Sequence, residues 1–208
     1  MQNLIFHIFV VFLITSQICA QKTIQKQWIV SAVDTVLIAS DQIYNVRITS
    51  GSKETINLTT SVEGEVYETV VVKELISGKT LQIGTGHSPY FSPKNDKLAA
   101  HKVLSVEMVL TVPPNVAVVV HSKNTSVIAE GTIAYLETVL EKGHCTLQDF
   151  KGDARLFTVF GDISVAVHPG VGGRAISKEG VTNELKLEGD YFIEAESING
   201  LVSLVRQE

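Results

Sequence analysis

The chain has 208 residues, a formal net charge of −5 and 45% hydrophobic residues. The acidic balance argues against a nucleic-acid binder, which needs a basic face. Of its two cysteines only Cys145 lies beyond the first 20 residues, so a disulfide framework is excluded and the fold must rest on its core.

The first 20 residues contain no Asp, Glu, Lys or Arg, and Leu4 to Ile14 is apolar except for His7. That run is too short to span a bilayer but suits the apolar region of a signal peptide, with cleavage expected after Ala20. Gln17 and Ile18 are poor precursors for lipid attachment at Cys19. The expectation is an exported protein in the periplasm, at the cell surface or outside the cell. No later stretch is long and apolar enough to cross a membrane as a helix.

Beyond the leader, residues 21–208 read as one all-β domain. Trp28 to Ser40, Ile43 to Thr49, Glu65 to Lys73 and Leu104 to Val112 are rich in β-branched and aromatic residues with stretches of alternation, the mark of strands. Ser50-Gly51-Ser52, Ser77-Gly78-Lys79 and Pro113-Pro114-Asn115 separate them as turns. Residues 84–101, with two glycines, two prolines and Asn95-Asp96, predict a long loop, where binding functions concentrate. Residues 21–101 thus form a strand-rich N-terminal part, continuous with residues 102–208.

From residue 102 a pattern recurs. Gly143 to Leu147, Gly161 to Val165 and Gly200 to Leu204 read G-x-x-[ST]-[VL], and weaker copies begin at Lys102, Lys123 and Gly180. Starts about 20 residues apart predict a solenoid of stacked coils, a β-helix-like architecture. Two residues after each start stand Leu104, Thr125, Cys145, Ile163, Thr182 and Val202; four after stand Val106, Val127, Leu147, Val165, Glu184 and Leu204. Both sets predict inward columns. Glu184 is out of character, so a slip of one residue that turns Val181, Leu185 and Leu187 inward is expected there. Between the columns, Ser126, Thr146, Ser164, Asn183 and Ser203 predict an outward polar ladder, a candidate binding surface. A second strand precedes each start, as in Val116, Val118 and Val120, or Leu136, Thr138 and Leu140.

The stretch LTVPPNVAVVVHSKNTSV from Leu110, together with FTVFGDISV and SINGLVSL further along, resembles the adhesin-type families of repeated β-strands in Gram-negative envelope proteins, the head GIN domain among them. The resemblance covers about residues 102–208, and it implies a β-solenoid-like fold with a surface or periplasmic role. It implies no catalytic residues.

Candidate chemistry is sparse. Cys145, in an inward column, reads as a small hydrophobe and not a reactive thiol. Six histidines (His7, His87, His101, His121, His144, His168) share no phase or metal-ligand spacing, so no zinc site is expected. Asp149, Asp153 and Asp162 lie near turns, but the nonapeptide of calcium-binding β-rolls is missing; such Asp residues ordinarily hydrogen-bond locally. No catalytic elbow or phosphate-binding glycine loop opens a helix, and no cofactor is expected. Asn57 and Asn124 open glycosylation sequons that are accidental by frequency.

The sequence therefore predicts an exported, non-enzymatic cell-envelope protein with an adhesin-like structural or binding role, contacting an envelope glycan or a protein. The alternative is a β-helix carbohydrate-active enzyme, a polysaccharide lyase or glycosidase. That alternative requires carboxylates converging in a cleft.

Overall fold

A computed structural model of the chain describes residues 21–51, 54–64, 66–89, 91 and 104–207. The leader and most of the loop before Leu104 lie outside the described residues, as do His7 and His101. The chain is all-β. Its strands are Gln21–Ile29 (β1), Thr35–Ala39 (β2), Asn45–Ser50 (β3), Thr55–Gly64 (β4), Val70–Ser77 (β5), Thr80–His87 (β6), Leu104–Val112 (β7) and Ala117–Asn124 (β8). Ser126–Lys142 (β9), Cys145–Phe160 (β10), Ile163–Val167 (β11), Val171–Ser177 (β12), Val181–Asn183 (β13), Tyr191–Asn199 (β14) and Val202–Arg206 (β15) complete the chain. No described helix is long and apolar enough to cross a membrane.

All 15 described strands join one mixed sheet. Parallel pairing dominates, and among the described strands only β1 with β4, β4 with β7 and β5 with β6 run antiparallel. The long strands β9 and β10 bend, and each takes part in two rows. Their first halves join the row β1-β4-β7-β3-β9-β10-β11-β15-β13. Their second halves join β5-β6-β2-β8-β9-β10-β14-β12. Bends fall where the backbone takes left-handed angles: Gly131 (φ 88°) in β9 and Asp149 (φ 48°) in β10, the latter within a shift of register against β9. A short polar side chain tolerates that region better than most.

One core lies behind both rows. Val118, Leu136, Leu156 and Ile193 from the second row join Val46, Val127, Cys145, Ile163 and Val202 from the first in a single buried cluster. Alternation supplies it, because residues of one parity along a strand share a face. Of the twelve residues expected inward, Thr182 and Glu184 are exposed, Leu104 is half-buried and the other nine are buried.

Four details depart from the sequence reading. The coils starting at Lys102 and Lys123 do not stack directly, because β3 lies between their strands, with Val46 opposite Met108 on one side and Val127 on the other. The partner of Cys145 is Val127, not Thr125. Thr125 instead sits at the corner, buried, its hydroxyl donating to the Ile43 carbonyl at 2.6 Å. At the Gly180 copy the register does slip, with Val181 opposite Val202, but only Leu185 turns inward; Val181 and Leu187 are exposed. The strand edge ends there, so nothing covers them. Finally, Gly84 and Gly86 belong to β6 and not to the loop, because β2 and β5 flank that strand and pair its backbone.

The glycine repeat has a steric cause. A Cβ on Gly161 would lie 2.1 Å from the Gly143 carbonyl oxygen, and one on Gly200 would lie 2.0 Å from that of Gly161. Neighbouring corners stack backbone on backbone, which only glycine permits. Inward hydroxyls satisfy those corner carbonyls: Thr158 donates to Gly143 at 3.1 Å, Ser197 to Gly161 at 2.8 Å and Ser177 to Gly200 at 2.6 Å. Thr60, also fully buried, has no partner for its hydroxyl among the described residues. Two valine substitutions should therefore part ways. Thr158→Val should cost about 1–2 kcal/mol by removing the donor to a partly buried carbonyl, and Thr60→Val should be neutral or stabilising by about 1 kcal/mol. Urea unfolding of both variants checks the contrast, and equal losses would refute it.

Candidate binding face

On the second row, residues that point outward line up across the strands. Arg155 on β10 stands opposite Glu137 on β9 and Glu194 on β14, and Glu194 stands opposite Arg174 on β12. The row thus reads Glu, Arg, Glu, Arg at the spacing of strands, about 4.8 Å. Two residues further along each strand come Val139, Phe157, Glu196 and Ile176. Val139 is 42% and Ile176 49% exposed, and Glu196 stands between Phe157 and Ile176, so this line of side chains is apolar but for one carboxylate. Between the two rows runs a trench of about 340 Å³, floored by Thr138, Leu156 and Ala195.

Three of the four charges are held in place. Tyr135 donates to Glu137 at 2.8 Å and His121 lies 3.4 Å from the same carboxylate. The tyrosine hydrogen bond, with help from His121, holds the Glu137 carboxyl below the usual glutamate range, so it is ionised at neutral pH. Burial and the Glu137 carboxylate together push the Tyr135 phenol up to about 12, keeping it a donor. Arg174 pairs with Glu194 at 2.7 Å. Arg155, exposed between two carboxylates, makes no hydrogen bond or ion pair among the described residues, so its five donors are available to a ligand.

The expected polar ladder assembles only in part. Thr146, Ser164 and Ser203 do stand in register on β10, β11 and β15. Ser126 is opposite Asn45 instead, and its hydroxyl accepts the His144 backbone N–H at 3.3 Å. Asn183 stands opposite Leu204, accepts the Leu185 N–H at 2.9 Å and donates to the Gly173 carbonyl at 3.2 Å. Both side chains are occupied with local structure. The ladder breaks because the coil starting at Lys123 meets its neighbour at an offset of 18 residues, two fewer than the spacing of the motif copies.

The acidic turn residues and the histidines also bond to neighbouring segments. Asp162 accepts the Leu201 N–H at 2.8 Å, Asp153 the Phe192 N–H at 2.8 Å, and His144 Nδ1 the Asp162 N–H at 3.1 Å. His168 lies 2.6 Å from Asp149, and His87 Nδ1 is 2.9 Å from the Thr69 hydroxyl. Among the described residues no three His, Cys, Asp or Glu side chains gather as metal ligands.

The sequence reading missed the Glu–Arg row because, on the strand before each start, it named only the alternate, largely apolar positions and not the residues between them. A signal was there: Glu137 and Arg155, like Val139 and Phe157, lie 18 residues apart on the strands upstream of Gly143 and Gly161.

No family model matches this sequence, and no curated protein shows significant similarity to it. Among solved structures, a "putative cell adhesion protein" from Clostridium sporogenes ATCC 15579 is similar over 90% of this chain and 100% of that one, with a TM-score of 0.59 at 13% identity. A "putative adhesin" from Bacteroides fragilis NCTC 9343 aligns over 89% of this chain and 97% of that one, with a TM-score of 0.40 at 14% identity. At such identity the first likeness is one of fold.

Proposed function

We propose that this chain is an exported, non-enzymatic cell-envelope protein that binds its partner through the trench between the Glu–Arg row and the apolar strip. The strands form a solenoid of stacked coils, with β2 and β3 serving as one coil beneath β8 and β9. The observation that carries the reading is the open face itself, where fixed opposite charges border exposed Val139 and Ile176. A concave face that combines apolar side chains with a few placed polar groups is the usual form of a binding site. A fold shared with a protein named for cell adhesion agrees with it, as does the expected leader.

The carbohydrate-active enzyme is the weaker reading. Glycoside hydrolysis needs a carboxylic acid whose pKa is raised so that it can protonate the leaving oxygen. Glu137 is shifted the opposite way, and Glu194 is tied to Arg174.

Co-sedimentation with Gram-negative envelope fractions tests the proposal. The protein should be retained, and Arg155→Glu, which places three carboxylates in line, should lower retention about tenfold through like-charge repulsion while leaving the circular dichroism unchanged. Undiminished retention of the variant would remove the trench from the interface. Release of soluble sugars from the fractions would favour the enzyme instead.

A further inference from the structure

The order of charges along the trench constrains what it can hold. An ionised carboxylate only accepts hydrogen bonds and a guanidinium only donates them. Glu137, Arg155, Glu194 and Arg174 therefore alternate acceptor and donor from strand to strand. A polyanion would meet Glu137, Glu194 and Glu196, and a polycation would meet both arginines, so neither suits the row. A hydroxyl gives and receives at once. Neighbouring hydroxyls can thus donate to a carboxylate while accepting from the guanidinium one strand away.

The other wall has the complementary character. Val139, Phe157 and Ile176 make it apolar but for Glu196 and include one aromatic side chain, suited to the C–H faces of sugar rings. The floor discriminates against an extended peptide. Its strands β9, β10, β14 and β12 are paired with one another and the trench runs across them, so a peptide laid along it lies crosswise to the strands and cannot add to the sheet as a further strand. A trench crossing these strands is about 14 Å long between the outer two, which accommodates roughly one pyranose ring per strand.

We propose that the trench binds a neutral, linear, hydroxyl-rich glycan laid across the strands, its hydroxyls bridging the alternating carboxylates and guanidinium groups and its ring faces resting on Phe157 and its apolar neighbours. This assignment rests on the reading of the face as the binding surface. Arg155 is the principal anchor, because its donors are unengaged; Glu137 is set to receive, because Tyr135 and His121 fix its carboxylate.

Calorimetric titration of the purified protein with hexamers of β-1,4-linked glucose and of β-1,4-linked N-acetylglucosamine tests this. At least one hexamer should bind, with affinity rising from disaccharide to tetrasaccharide and levelling off once the trench is filled. Arg155→Ala should weaken binding about tenfold or more, the loss expected for a charged hydrogen bond, with an unchanged melting temperature. Phe157→Ala should weaken it as well, and Gln148→Ala, elsewhere on the exposed side of β10, should not. Binding of neither hexamer, affinity already saturated at the disaccharide, or undiminished binding by Arg155→Ala would each overturn the assignment. A protein retained by envelope fractions yet blind to both hexamers would lose the glycan assignment alone, whereas loss of retention as well would sink the proposed binding role with it.

Discussion

Gly161→Val is expected to destabilise the fold by about 3–5 kcal/mol, combining overpacking with backbone strain. Its Cβ would sit 2.1 Å from the Gly143 oxygen and 2.7 Å from the carbonyl carbon. Both atoms are backbone, so no flexible side chain can move aside. The φ of 146° adds strain for any residue with a Cβ. Relief would require the corner to separate from its neighbour, which also pulls Ser197 from the Gly161 carbonyl it caps at 2.8 Å. Gly78→Ala is the control: φ there is 60°, but nothing lies within 4 Å of the added carbon, so only about 1 kcal/mol should be lost. Domains of this kind are stable by about 5–15 kcal/mol, so Gly161→Val should unfold at far lower urea and Gly78→Ala nearly as the parent does. Equal midpoints for the two would show that the corner stacking is not what the glycine repeat serves.

Cys145→Asp is the second large effect, with an expected cost of about 3–5 kcal/mol, that of an uncompensated buried charge. The thiol is 1% exposed, between Val127 and Ile163. Burial pushes it up to about 12, so a thiol reagent at pH 8 should leave the native protein unmodified and react rapidly once urea unfolds it. A pKa raised in the folded state stabilises fully below the unfolded value and is lost as pH rises, so the thiol weakens the fold from about pH 9 towards 12. Cys145→Ala, which removes that titration, should be less sensitive to alkali than the parent. Fast labelling of the native thiol would contradict the inward column on which the core description depends.

The corner glycines and the buried thiol are legible along the chain, and the binding face is not. Alternation named Cys145, Ile163 and Val202 as inward, and all three are buried at matching positions on β10, β11 and β15. The glycine spacing located the corners at Gly143, Gly161 and Gly200. Of the Ser–Thr–Asn ladder, Thr146, Ser164 and Ser203 adjoin while Ser126 and Asn183 serve local hydrogen bonds. A polar residue between two inward positions must point out, but its neighbour on the next strand depends on register.

By itself the sequence determined the all-β character, the buried parity of most of the repeat strands and the close corners, because side-chain alternation and glycine sterics act within a few residues. Only the tertiary structure decided that β3 enters between β7 and β9, that Thr125 takes a corner, and that Glu137, Arg155, Glu194 and Arg174 fall into one row. Those outcomes turn on pairing between segments 18, 39 or 82 residues apart. A slip of two residues there keeps every buried position buried while changing every neighbour across the sheet, so the hydrophobic pattern that reveals the strands is blind to which of them meet.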